Sequence, residues 1–276
     1  MPNRLIVPAI ASVLVLGLAC GGSGTHGNPS DPGNQALPAS TAASLTAAVM
    51  GLESATSATN LPSLAPAGEE AFALLAPATP GCIAVTNHGT GGDGFTEWVW
   101  TFNCTGADGA SLTGAVTLRF NAQGVVNVAY SNFRMAKGTQ SWTYNGNRSL
   151  AWNRTTHLAA VTVSGLTLVV ADSANPSTNA TYSYNAAYSV DASQASAPKL
   201  WGTFTFTANG TTTSGSIAQA TPLAWSPGCC YPLAGTLKLT QGPLSANVTF
   251  TAPCGTISVQ PTGMGAVSHT LPPCVW

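Results

Sequence analysis

Apolar and polar residues alternate with a period of two from Cys82 onward, in one segment after another. In Thr96–Cys104, Trp98, Trp100, Phe102 and Cys104 share one face, while Glu97, Val99, Thr101 and Asn103 share the other. Leu112, Val116, Leu118 and Phe120 oppose Thr113, Thr117 and Arg119. Tyr182, Tyr184, Tyr188 and Val190 oppose Thr181, Ser183, Asn185 and Ser189, and the segments around Leu237, Leu239, Val248 and Phe250 repeat the pattern. One apolar and one polar face per strand is what an antiparallel sheet with one solvated side requires. Gln123-Gly124, Lys137-Gly138, Asn145-Gly146, Asn209-Gly210 and Gln241-Gly242 read as turns between the runs. Roughly a dozen strands follow from this spacing. Short connections pair neighbours in a meander, and a twisted sheet of that width curls or folds over on itself. The predicted fold class is all-β: a curled antiparallel meander, half-barrel or sandwich-like, with a short N-terminal helical segment.

Upstream of Cys82 the period is different. Leu45, Val49 and Leu52 recur at helical spacing behind Ser40, a residue type that caps helix N-termini. A second helix is predicted over 68–76, with Glu69 and Glu70 in its first turn, Phe72 and Leu75 apolar, and Pro77 and Pro80 ending it. Residues 21–39 are Gly, Pro, Ser and Asn with almost no apolar content, the composition of a flexible tether. About twenty such residues reach ~25 Å, enough to hold a domain off a bilayer.

The first residues read as an export signal. Arg4 is followed by the apolar run Leu5 to Ala19, which ends in Leu16-Gly17-Leu18-Ala19-Cys20 and continues as Gly21-Gly22-Ser23-Gly24. The run is short for a transmembrane helix, which needs ~20 apolar residues. A Cys directly after the cut resembles the lipobox of bacterial lipoproteins, although Gly17 stands where that family usually has Leu. The resemblance implies that Cys20 becomes the first mature residue and carries a thioether-linked diacylglycerol, so that the chain meets the membrane through a lipid anchor. It also implies the outer membrane where there are two, since Gly21 replaces the Asp that retains such proteins at the inner one. The alternative is cleavage by an ordinary signal peptidase, which would give a soluble periplasmic or secreted protein. The chain thus divides into a signal peptide (1–19), the anchor Cys and tether (20–39), a helical and linker segment (40–80) and a disulfide-stapled β domain (81–276). A transmembrane barrel would alternate in the same way, but Leu271-Pro272-Pro273-Cys274 breaks its closing strand.

Seven cysteines become six once Cys20 is set aside: Cys82, Cys104, Cys229, Cys230, Cys254 and Cys274, a number suited to three disulfides after export. Cys82 and Cys104 flank a Gly-rich segment, so a bridge between them closes a hairpin. Cys229 and Cys230 point to opposite faces of an extended chain and suit two different partners, Cys254 and Cys274, in an order that the spacing leaves open. No CxxC occurs, so zinc is not expected.

Gly91-Gly92-Asp93-Gly94 before Trp98-Val99-Trp100-Thr101-Phe102-Asn103-Cys104, then Leu112-Thr113-Gly114, and later Cys230-Tyr231-Pro232-Leu233-Ala234-Gly235-Thr236 with Cys254, resembles uncharacterised β-rich bacterial lipoproteins. These carry an Asp-Gly-Asp-Gly-type turn before a Thr-x-Phe-x-Cys strand. This chain has a single Asp in that turn, and no activity is implied by the resemblance.

Charge and motif content exclude several functions. Only 6% of residues are charged, and loss of Arg4 with the signal takes the formal charge from −1 to −2. Without clustered Lys and Arg the chain has no footprint for nucleic acid. There is no G-x-S-x-G, no P-loop and no G-x-G-x-x-G before a helix. The acids of the predicted domain are Asp93, Glu97, Asp108, Asp172 and Asp191, a small pool for paired carboxylates. His88, Asp93 and Glu97 lie close together, and we read them as a polar hairpin loop in which Glu97 has neither burial nor a charged partner. Trp142, Tyr144 and Trp152, around Asn145-Gly146, are the candidate ligand-contacting residues, since sugar faces stack on aromatic rings. No catalytic residue, metal ligand or cofactor is expected, and the chain reads as a non-enzymatic, lipid-anchored envelope protein with a structural or interaction role. The alternatives are a carrier of an apolar ligand held between sheet and helix, and a carbohydrate-binding surface domain.

Overall fold

The computed structural model describes residues 36–57, 82–105, 109–194, 197–226, 229 and 231–271. Strands follow the period-two segments. They are β1 (Ile83–Thr90), β2 (Thr96–Thr105), β3 (Ser111–Phe120), β4 (Val125–Lys137), β5 (Gln140–Asn153), β6 (Leu158–Asp172) and β7 (Ala180–Asp191) in the first half. The second half has β8 (Lys199–Ala208), β9 (Thr211–Ile217), β10 (Leu223–Ala224), β11 (Thr236–Gln241), β12 (Leu244–Thr251), β13 (Thr256–Pro261) and β14 (Val267–Thr270). All belong to one open antiparallel sheet, in sequence order from β1 to β9 and then from β11 to β14. The short β10 pairs with the start of β8, beyond the point where the β8–β9 ladder ends. This is the all-β meander that alternation and short turns predict.

Alternation becomes burial. On β7, Tyr182, Tyr184 and Tyr188 are buried, and on β11 to β13 so are Leu237, Leu239, Val248, Phe250, Ile257 and Val259. These residues and the inward side chains of β5, β6 and β8 form one apolar core, with a second, smaller cluster on β2 to β4 around Trp100, Phe102, Val116 and Leu118. The helix α1 (Ala39–Ser57) packs on β12, β13 and β14 and adds Leu45 and Val49 to the larger core. It begins one residue before Ser40, with Ala42 donating its N–H to Pro38, so Ser40 sits in the first turn and is not the cap. The second helix predicted at 68–76 lies outside the described residues. No helix among the described residues is long and apolar enough to cross a membrane.

Four of the five predicted turns connect neighbouring strands. Asn145-Gly146 does not: it lies in the middle of β5, where the register with β6 shifts between Asn145 and Asn147. A glycine at positive φ suits a turn, and it equally suits this place opposite the bulge of β6, where Gly146 takes φ 118°. Trp142 and Trp152 are therefore on one strand, not on facing strands of a hairpin.

Candidate functional site: a polar groove across four strands

On the outer face of the sheet, away from the core, residues of β3 to β6 line a cavity of about 290 Å³. Register builds it from two rows. Arg119 is opposite Asn127, Asn127 opposite Ser149, and Ser149 opposite Thr162. One pleat further along, Thr117, Ala129, Asn147 and Ser164 repeat the arrangement. Each is an outward position of its strand, flanked by inward residues such as Leu118, Val128 and Val163. Alternation in the sequence marks Thr117 and Arg119 as polar outward residues. What sequence reasoning misses is the rest of the groove, on β4 to β6, and its alignment, which depends on register across three hairpins.

A line of bulges borders the groove. The ladders shift between Thr113 and Ala115 on β3, between Tyr130 and Phe133 on β4, between Asn145 and Asn147 on β5, and between Val163 and Leu166 on β6. Every shift falls just beyond the row containing Thr117, Ala129, Asn147 and Ser164. In every one of these ladders the extra residue is on β4 or on β6, and a bulge bends its strand and raises the local twist, so two bulged strands crease the sheet along one wall of the groove.

The other end of the groove meets the Gly-rich turn between β1 and β2. Gly91 donates its N–H to Phe95, Gly94 donates to Gly91, and Asp93 Oδ1 accepts the Phe95 N–H at 3.1 Å. Arg119 reaches this turn from β3: its Nη2 pairs with Asp93, its Nε lies 3.3 Å from Glu97, and its guanidinium sits 5.0 Å from the Phe95 ring centre. The Phe95 amide, then the Arg119 charge, hold the Asp93 carboxyl below its usual range. The expectation that Glu97 has no charged partner is thus corrected: it stands directly opposite Arg119 in the ladder. With both carboxylates against one guanidinium, the arrangement is a clamp on the turn. Among the described residues no group of three metal-ligating side chains occurs.

The aromatic candidates are placed differently from expectation. Trp142 and Tyr144 are each 4% exposed and belong to the core, so neither offers a ring to a ligand in solvent. Their even positions share the inward phase of β5, and Asn145-Gly146 does not turn the chain between them and Trp152. Trp152 is half-buried and meets His157 edge-on at 6.3 Å. Burial also pushes the Tyr144 hydroxyl up to about 12 and raises Tyr130. Arg148 lies on the same inward phase, 7% exposed, and donates from Nη2 to the Tyr188 hydroxyl at 2.5 Å.

Two cysteine pairs form disulfides. Cys82–Cys104 ties the strand ends of the β1–β2 hairpin opposite its Gly-rich turn. Cys229–Cys254 joins the segment after β10 to the turn between β12 and β13. Of the two partners the spacing left open for Cys229, the fold selects Cys254. Cys20, Cys230 and Cys274 lie outside the described residues. No protein-family model matches the chain, and no curated protein matches it in sequence.

Proposed function

We propose that this chain is a lipid-anchored protein of the bacterial envelope, acylated at Cys20, with an interaction role and no catalytic one. In this reading the tether 20–39 carries the sheet away from the membrane, the outer membrane where there are two. The observation that carries the reading is the division of the cysteines. Cys20 alone ends an export signal, while Cys82, Cys104, Cys229 and Cys254 are paired, as an oxidising compartment allows. The recessed polar face on β3 to β6 favours interaction over a purely structural role. The carrier of an apolar ligand is less well supported, because Leu45 and Val49 of α1 already share a packed core with the sheet.

Mass spectrometry of the native N-terminus, with membrane fractionation, tests the reading. The expected result is a mature chain beginning at a diacylated Cys20 and sedimenting with membranes, released or stranded as precursor by Cys20→Ser. An unmodified mature chain in the medium would sink it.

A further inference from the structure

We infer that the groove across β3 to β6 binds a neutral polyhydroxylated ligand, a segment of glycan, through amide and hydroxyl side chains. The inference rests on reading the chain as an interaction protein. The lining has the right chemistry: Asn127 and Asn147 each offer two N–H donors and a carbonyl acceptor, and Ser149, Thr162 and Ser164 each both donate and accept. A sugar presents the same mixed donors and acceptors around a ring. Neighbouring strands set these groups ~4.8 Å apart in two parallel rows, so adjacent hydroxyls of one ligand can be met from adjacent strands.

The groups are also unengaged. Elsewhere on the outer face hydroxyls satisfy one another across strands, as Thr207 with Thr212 at 2.9 Å and Ser245 with Thr262 at 2.5 Å. In the groove, the side chains of Asn127, Asn147, Ser149, Thr162 and Ser164 take no hydrogen bond within the described structure. Charge selects a neutral ligand. Two arginines are among the lining residues: Arg119 is held by Asp93 and Glu97, so an anionic ligand would have to compete with both carboxylates, and Arg148 is buried on the inward phase and donates to the Tyr188 hydroxyl. Shape agrees: Ala129, the smallest lining side chain, stands opposite Asn147 and two residues from Asn127, so little side-chain bulk occupies the groove there. The groove's two rows contain no aromatic ring, so affinity comes from hydrogen bonds, and dissociation constants of about 1 mM are expected.

The test titrates the isotope-labelled mature chain with malto-, cello- and chito-oligosaccharides while following the side-chain amide resonances of Asn127 and Asn147. The expected result is a saturable shift of both with at least one series. Binding should weaken at least tenfold in the Asn127→Ala, Asn147→Ala double variant and vanish in Ala129→Tyr, which fills the recess. Thr205→Ala, an outward change on β8, should leave both binding and melting temperature unchanged. Absence of a saturable shift with all three series, equal binding by the filled variant, or tighter binding of a uronic-acid oligosaccharide would overturn the inference. Failure here is distinguishable from failure of the anchoring reading, because an unacylated chain with the same groove would still bind.

Discussion

The side-chain oxygen of Asn145 accepts the main-chain N–H of Asn132, 2.7 Å away on the neighbouring strand. Asn132 is the bulged residue of β4, at φ 48°, and its amide has left the regular ladder. Two strands further on the relationship recurs: Asn185 of β7 accepts the N–H of Gly165, in the bulge of β6, also at 2.7 Å. Each Asn directly follows a buried tyrosine, Tyr144 or Tyr184. The core thus fixes the strand through the tyrosine, and the next residue satisfies the bulge beside it on the outer face.

Asn145→Ala and Asn185→Ala should each cost about 1 kcal/mol, the usual net value of one such hydrogen bond. Asn145→Asp, which keeps the acceptor, should cost less than Asn145→Ala. Urea denaturation measures both, and equal losses for Ala and Asp would show that the acceptor does not matter.

Gly202 of β8 should tolerate no side chain. Its φ is 145°, and a Cβ there would stand 2.4 Å from the Ala187 carbonyl oxygen and 2.5 Å from the Tyr188 Cα, both backbone atoms of β7. Gly202→Ala should cost roughly 2 kcal/mol or more, since the strands must separate to admit it. Gly138→Ala, in a turn at φ 59° with nothing within 4 Å, faces only the backbone penalty, about 1 kcal/mol. Equal melting temperatures for the two variants would refute the close approach.

The disulfides Cys82–Cys104 and Cys229–Cys254 close loops of 22 and 25 residues in sequence separation. Each should stabilise the fold by roughly 3 kcal/mol in the chain-entropy model. Peptide mapping after alkylation without reductant should recover both linked pairs. Alkylation of any of these four cysteines in the native exported protein would contradict the pairing.

Alkaline pH should unfold the domain partly through Tyr144. Burial raises its folded value to about 12 from the ordinary 10.0, so the stability it contributes is complete below pH 10 and is lost as pH rises toward about 12. Above pH 10 the unfolded chain releases this proton and the folded one retains it. Tyrosinate absorbance should therefore rise together with loss of circular dichroism, and Tyr144→Phe should move the transition to higher pH. A Tyr144 that ionises in the folded domain near pH 10 would contradict its burial.

Alternation along the chain is enough to say which side of each strand faces the core. Tyr182, Tyr184, Leu237 and Val248 point inward because the pleat alternates and because apolar burial is the dominant favourable contribution to folding. The sequence also placed the Cys82–Cys104 bridge, since a hairpin returns the chain to its own start. Tertiary structure decided whatever depends on counting residues across strands. Asn145-Gly146 has the chemistry of a turn, and only the continuous pairing of β5 with β4 and β6 keeps it inside a strand, opposite the bulges of its two neighbours. A bulge moves the register by one residue, so the meeting of Arg119, Asn127, Ser149 and Thr162 in one row follows from three turns together with the bulge of β4. For the same reason Glu97 found its partner in Arg119, and Cys229 in Cys254. Local residue patterns specify a face, whereas a site drawn from four strands exists only after the whole ladder has fixed how the strands slide against one another.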